Sequence, residues 1–248
     1  MTALPTRNEP TGGLAPAISI GIAKHPEWWT VALCVFAWIA LVAGDVGGSD
    51  AIAFCRSFHR IADFDALIAG AGGWALMVAA MMLPLVVAPV RRTARASLWR
   101  RRHRAVAEFL IGYGLIWLPF GAVALAFLTW WQPQLWVTAA TFAVAAIWEL
   151  SPFKRRALIL CHRTIPLRPS GWQADLDCLR YGAIQGRSCL LSCWAIMLAP
   201  MATPQRLPAM AVVAFLCWLE RLWPRRRQRF ETLALGGTAL GFAVLALA

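Results

Sequence analysis

The sequence predicts an all-α fold, a polytopic transmembrane helix bundle of about seven spans with the N-terminus inside, and three observations carry that expectation. The chain of 248 residues is 60% hydrophobic yet has a formal net charge of +12, a pairing that a water-soluble domain has no need of. Its apolar residues gather in runs nearly free of charge, and a span needs about 20 such residues to cross roughly 30 Å of hydrocarbon. Its basic residues gather between alternate runs, which is how orientation is encoded.

The runs fall at 28–44, 66–90, 105–130, 135–153, 183–203, 207–223 and 231–248. Residues 1–27, rich in Pro, Gly and Thr, read as a mobile cytoplasmic tail, and 28–248 as the transmembrane helical domain. The first run is too long for the h-region of a signal peptide, about 7–15 residues, and is expected to stay as an anchor. Arg91, Arg92, Arg95, Arg100, Arg101, Arg102 and Arg104 separate the second and third runs. Lys154, Arg155, Arg156, Arg163 and Arg168 follow the fourth, and Arg225, Arg226, Arg227 and Arg229 the sixth. With the N-terminus inside, all three clusters face the cytoplasm, as in a multi-pass protein of a bacterial inner membrane. The arginines punctuate apolar spans rather than cover a domain surface, so the charge points to a lipid bilayer and not to nucleic acid.

Seven cysteines, an odd number, lie mostly within the spans or on the cytoplasmic side, where free thiols or ligands are expected rather than disulfides. Span two carries Met77 and Met81, and span five carries Cys189, Cys193 and Met197, each set at steps of four that share one helix face. At 1.5 Å per residue from the cytoplasmic ends, Met81 and Cys193 lie roughly 13–15 Å deep, and Met77 and Met197 near 20 Å. If the two helices are neighbours, five sulfurs surround one point. Thiolate and thioether ligands favour Cu(I) over Zn(II). Polarizable Met and Cys also serve simply to fill packed helices. Cys161, His162 and Glu149 are candidate accessory ligands, the first two in the cytoplasmic loop. Glu149 and Glu220 sit about 7 Å inside the interface, with Arg187 at similar depth, so a bridge from Arg187 to one of them is expected. All four histidines fall outside the spans, which disfavours a diheme cytochrome. Phosphate-binding loops and nucleophile elbows are absent from the sequence, and no acid–base pair at catalytic spacing suggests an enzyme.

The segments Trp74-x-x-Met77-x-x-Ala80-Met81-Met82-x-Pro84, Phe109-x-x-Gly112-Tyr113 with Trp117, Leu150-Ser151-Pro152-x-Lys154, Cys161 with Arg163 and Pro166, Cys193-Trp194-x-x-Met197 and Glu220-Arg221 form a linked set over about 66–223. On these the chain resembles the bacterial family of predicted metal-binding integral membrane proteins, domain of unknown function 2182. It departs in having Trp148-Glu149 where that family often has Tyr-Gln, and Ser192-Cys193 where it often has Cys-Cys. The resemblance implies a membrane protein that binds metal, and the soft ligands make Cu(I) the expected ion, held or transferred with a membrane-protein partner or metallochaperone. The competing expectation is a structural or assembly subunit with no metal of its own.

Overall fold

The computed structural model describes residues 25–46, 64–131, 135–203, 206–222 and 235–238. Most of the expected N-terminal tail, and all of the last expected span except 235–238, lie outside these residues. The helices are α1 (Trp28–Val46), α2 (Phe64–Met82), a 3-10 turn (Leu83–Val86), α3 (Val87–Ala96), α4 (Arg102–Trp131), α5 (Leu135–Leu150), α6 (Pro152–Cys161), α7 (Trp172–Ala202) and α8 (Arg206–Leu222). The fold is all-helical, with no strand among the described residues.

Local chemistry explains where the helices break. Pro84 has no N–H to give the carbonyl of Ala80, so α2 yields to a 3-10 turn. The freed carbonyl accepts from Trp38 Nε1 at 3.1 Å and from the Cys34 thiol at 3.4 Å, which ties α1 to the end of α2. Ser151 accepts from the backbone N–H of Phe153 at 3.2 Å, and Pro152 occupies the first turn of α6. This is a helix start in mid-run, and α6 leaves α5 at 71°. Gly171, at φ 89°, turns the chain into α7 in the left-handed region that suits glycine.

α4 and α7 form the central pair and run parallel, because contacts climb both helices together. Arg101 and Arg104 meet Asp175, Phe109 meets Gly182, and Tyr113 meets Gly186 and Cys189. A Cβ at Gly112 would strike the carbonyl of Leu179, and one at Gly182 the carbonyl of Phe109. Two backbones therefore touch where side chains would otherwise hold them apart. α5 returns antiparallel along α7: Thr138 donates to the Ala202 carbonyl at 2.6 Å, and Trp148 Nε1 to that of Leu191 at 3.1 Å. α2 crosses α4 through Trp74, whose Nε1 reaches the Trp117 carbonyl at 3.0 Å and whose indole occupies the space that a Cβ at Gly121 would take.

Three helical stretches among the described residues are long and apolar enough to cross a membrane: Trp28–Asp45, Gly70–Ala96 and Arg102–Phe127. The bent pair Leu135–Leu150 and Pro152–Cys161 would make a fourth. The structure thus supports three or four such spans rather than the seven expected. The expected spans at 183–203 and 207–223 fall short for a physical reason. The inner half of α7 carries Gln185, Arg187, Ser188 and Ser192, and α8 has 17 residues with Glu220 and Arg221 at its end. The bundle exterior is nonetheless apolar: Val31, Val35, Phe36 and Ile39 of α1, Ile111, Leu115 and Val123 of α4, Ile147 of α5 and Phe215 of α8 all point outward.

Candidate metal centre

The middle of α7 gathers the sulfur chemistry. Cys189 and Cys193 are buried on its inner face. The Cys189 thiol donates toward Met82 Sδ at 3.8 Å and accepts from the Tyr113 hydroxyl at 3.1 Å. Cys193 is buried near Cys189 and Cys217, close enough for the three thiols to influence one another electrostatically. Three thiols from α7 and α8 and one thioether from the end of α2 therefore share one buried, sulfur-rich region.

Ser192 extends the cluster. Its hydroxyl has one proton, which goes to the carbonyl of Cys189 at 2.9 Å. Toward the thiols of Cys193, at 3.3 Å, and Cys161, at 3.9 Å, the same oxygen is left as acceptor. Cys161, at the end of α6, is thereby linked to the cluster through one oxygen. His162, the next residue, is exposed; partial burial, and then the Arg221 guanidinium, hold its imidazole below the ordinary range. It is neutral near pH 7 and keeps a lone pair for a metal.

Below this lies a buried ion triad. Lys154 of α6 pairs with Glu149 of α5 and, at 2.9 Å, with Glu220 of α8. All three are at most 3% exposed, so water does not screen them. The expected partner of these glutamates was Arg187; it is exposed on α7 instead. Lys154 takes its place because the 71° turn after Leu150 swings the first turn of α6 under the bundle, between the ends of α5 and α8. Lys154 is also close enough to Cys193 to act on its charge.

Of the sulfur ligands expected from the sequence, Met77, Met81, Cys189, Cys193 and Met197 are all buried in one core. Cys189 and Cys193 lie near enough to influence each other electrostatically, and the sulfur hydrogen bond between α2 and α7 is made by Met82, not by Met77 or Met81. Met82 and Cys217 are members that the four-residue stripes do not reach. Met82 belongs to the Met-Met-x-Pro run, and Cys217 stands three residues before Glu220. Among the described residues no three His, Cys, Asp or Glu side chains converge to hold a metal ion as they stand. The sulfurs fit a soft ion of low coordination number that takes thiolates together with a thioether.

The family described as PpoB2, copper chaperone, matches this chain over residues 71–245. The chain belongs to that family. The match covers nearly all of the 66–223 segment on which the resemblance rests, and its description points to a copper-related family, in keeping with the Cu(I) expected from the sequence. Its reach takes in every residue of the sulfur cluster and the triad. No curated protein and no solved structure matches the chain.

Proposed function

We propose that this protein is a membrane-embedded copper chaperone that holds Cu(I) at the α2–α7–α8 sulfur cluster and passes it on. The observation that carries the reading is the bond of Cys189 to Met82, with Cys193 and Cys217 buried close by, inside a member of a copper chaperone family. Two thiolates bound to one Cu(I) leave a single negative charge in a low-dielectric setting, and the nearby Lys154 ammonium moderates it. Met77, Met81 and Met197 supply further thioethers on the same core, and Cys161 and His162 an approach from the cytoplasm, with Glu149 acting through Lys154.

Membrane placement is supported by the outward apolar residues of α1, α4 and α8 and by the basic groups at one end of the bundle, where Arg91, Arg92 and Arg221 come together. In a bacterial inner membrane with the N-terminus inside, that end faces the cytoplasm. Reporter fusions at Arg100 and Gln132 then give opposite sidedness, and like signals overturn the topology. A metallochaperone or a membrane-protein acceptor is the partner class that such a carrier needs.

The functional test is Cu(I) and Zn(II) titration of the purified chain with elemental analysis, repeated for Cys193→Ser and Met81→Leu. Copper uptake without zinc uptake, weakened in the variants, is expected. No bound copper in the native protein, or equal binding by all three, would identify the sulfurs as packing in an assembly subunit.

A further inference from the structure

The cytoplasmic end of the cluster opens into a cavity of about 420 Å³ whose wall includes Arg91, Arg92 and Arg221, together with His162, Cys161 and Trp218. No carboxylate lines it among the described residues. Arg91 is engaged by Glu27 at 2.8 Å from the α1 side, and Arg221 leans on the Cys161 carbonyl at 3.4 Å. The cavity is thus cationic, partly apolar, and large enough for a small peptide-sized molecule. Among the described residues Cys161 supplies its only sulfur. That thiol is also the one joined through Ser192 to Cys193.

We propose that this cavity is the loading port of the cluster, and that it accepts Cu(I) as an anionic complex of a small carboxylate-bearing thiol, with Cys161 as the entry ligand. The inference rests on the copper reading of the cluster. Arg92 and Arg221, for which no carboxylate partner appears among the described residues, leave a positive excess beyond the Arg91–Glu27 pair and so select an anionic occupant. A thiol in the wall selects one whose metal is exchanged by thiolate attack. In the step, the Cys161 sulfur forms a bond to copper as one carrier sulfur–copper bond breaks. The Cys161 proton passes to the departing carrier thiolate, which leaves as neutral thiol, and copper stays Cu(I) throughout. Arg221, beside Cys161, is a positioning residue: it holds the end of α6 against α8 and faces the charge that develops on sulfur.

The experiment compares two copper donors on the full chain in detergent, the Cu(I)–glutathione complex and the uncharged-ligand Cu(I)–acetonitrile complex, following the rate of cluster loading by thiolate-to-copper absorption. For each variant the quantity read is the glutathione rate divided by the acetonitrile rate. Arg92→Gln, Arg221→Gln and Cys161→Ser should each lower that ratio at least tenfold. The native ratio should fall as ionic strength rises, because steering between charges is screened over about 8–10 Å. Binding of copper-free S-methylglutathione, which keeps the carboxylates and lacks a free thiol, is measured in parallel and should weaken in Arg92→Gln. Inorganic phosphate serves as a competitor, and displacement by phosphate as effective as by S-methylglutathione would make the cavity a general anion site and overturn the carrier assignment. Copper loading from acetonitrile with ratios unchanged in the variants overturns this inference and leaves the cluster standing. No loading from either donor overturns both. S-Methylglutathione binding that persists in that case would show an anion pocket with no part in copper transfer.

Discussion

Replacing Lys154 by Met tests the buried triad most severely, because methionine is an unbranched side chain only one atom shorter and removes the charge together with its N–H donors. Glu149 and Glu220 would then face each other without a cation, both at most 3% exposed. Two carboxylates in that position cannot both stay ionised, so the native state must take up at least one proton. Holding one glutamate protonated at pH 7, against an ordinary value near 4.3, costs about 3.7 kcal/mol at about 1.4 kcal/mol per unit. This falls within the roughly 3–5 kcal/mol expected when one partner of a buried ion pair is deleted. The sign of the pH dependence follows. The variant's native state binds a proton that its unfolded state releases at pH 7, so stability rises as pH falls toward 4.3, by about 2.7 kcal/mol between pH 7 and pH 5. Sodium dodecyl sulfate titration of the protein in mixed micelles, followed by tryptophan fluorescence, reads both quantities. Adding Glu220→Gln to Lys154→Met should recover part of the loss at pH 7. A loss below about 1 kcal/mol, or no recovery at pH 5, would refute the argument that these charges are paired and dry.

The α4–α7 contact predicts that Gly112→Val and Gly182→Val each destabilise by about 1–3 kcal/mol or more through overpacking, whereas Gly114→Ala, with open space around it, leaves thermal unfolding unchanged. Cys217→Ser should lower Cu(I) affinity at least tenfold in competition with a chromophoric chelator, while Cys34→Ser, whose thiol serves only the Ala80 carbonyl, leaves it as it was. Ser192→Cys should raise that affinity, since it places a sulfur between Cys161 and Cys193. The hydrogen bond from Arg101, more than any other contact, holds the Asp175 carboxyl below its ordinary range. Its contribution is therefore full above that ordinary value, about 3.9, and is lost as pH falls through the native value. A thermal unfolding series extended below pH 4 should show this loss in the native protein and not in Asp175→Asn.

Helical class and most helix positions were legible because apolar runs and their basic punctuation are one-dimensional signals. The breaks were legible only in part. Pro84 and Ser151-Pro152 stand plainly in the sequence, but that the carbonyl released by Pro84 is taken up by Trp38 and Cys34 depends on α1 lying alongside. The 71° turn at Ser151 also explains the wrong partner for the glutamates. Depth counted along straight spans put Arg187 level with Glu149, whereas the turn brings in Lys154, only five residues downstream in sequence. The four-residue stripes found Cys189 and Cys193 because both lie on one helix. They missed Met82, displaced by one residue from the Met77–Met81 face, and Cys217, which reaches the cluster from another helix. A period finds residues that share a face and carries no information on which faces meet.

The shortfall in spans and the site have a common cause. Gln185, Ser188 and Ser192 lower the hydropathy of α7 below that of a simple span, and each is buried with a bond to make: Gln185 to the Arg163 carbonyl at 2.9 Å, Ser188 to that of Ile184 at 3.0 Å, and Ser192 to that of Cys189 and toward two thiols. Ser188 and Ser192 satisfy their protons on carbonyls of α7 itself, but Gln185 needs the Arg163 carbonyl from outside the helix, and in lipid its unsatisfied amide would cost several kcal/mol. α7 carries them because α4, α5, α6 and α8 surround it, with α4 drawn in to backbone contact at Gly112 and Gly182. The glycines are then as necessary to the sulfur cluster as the sulfurs. They set the approach at which the Tyr113 hydroxyl reaches Cys189, and a wider pair would leave that hydroxyl without its acceptor in a place that water does not reach.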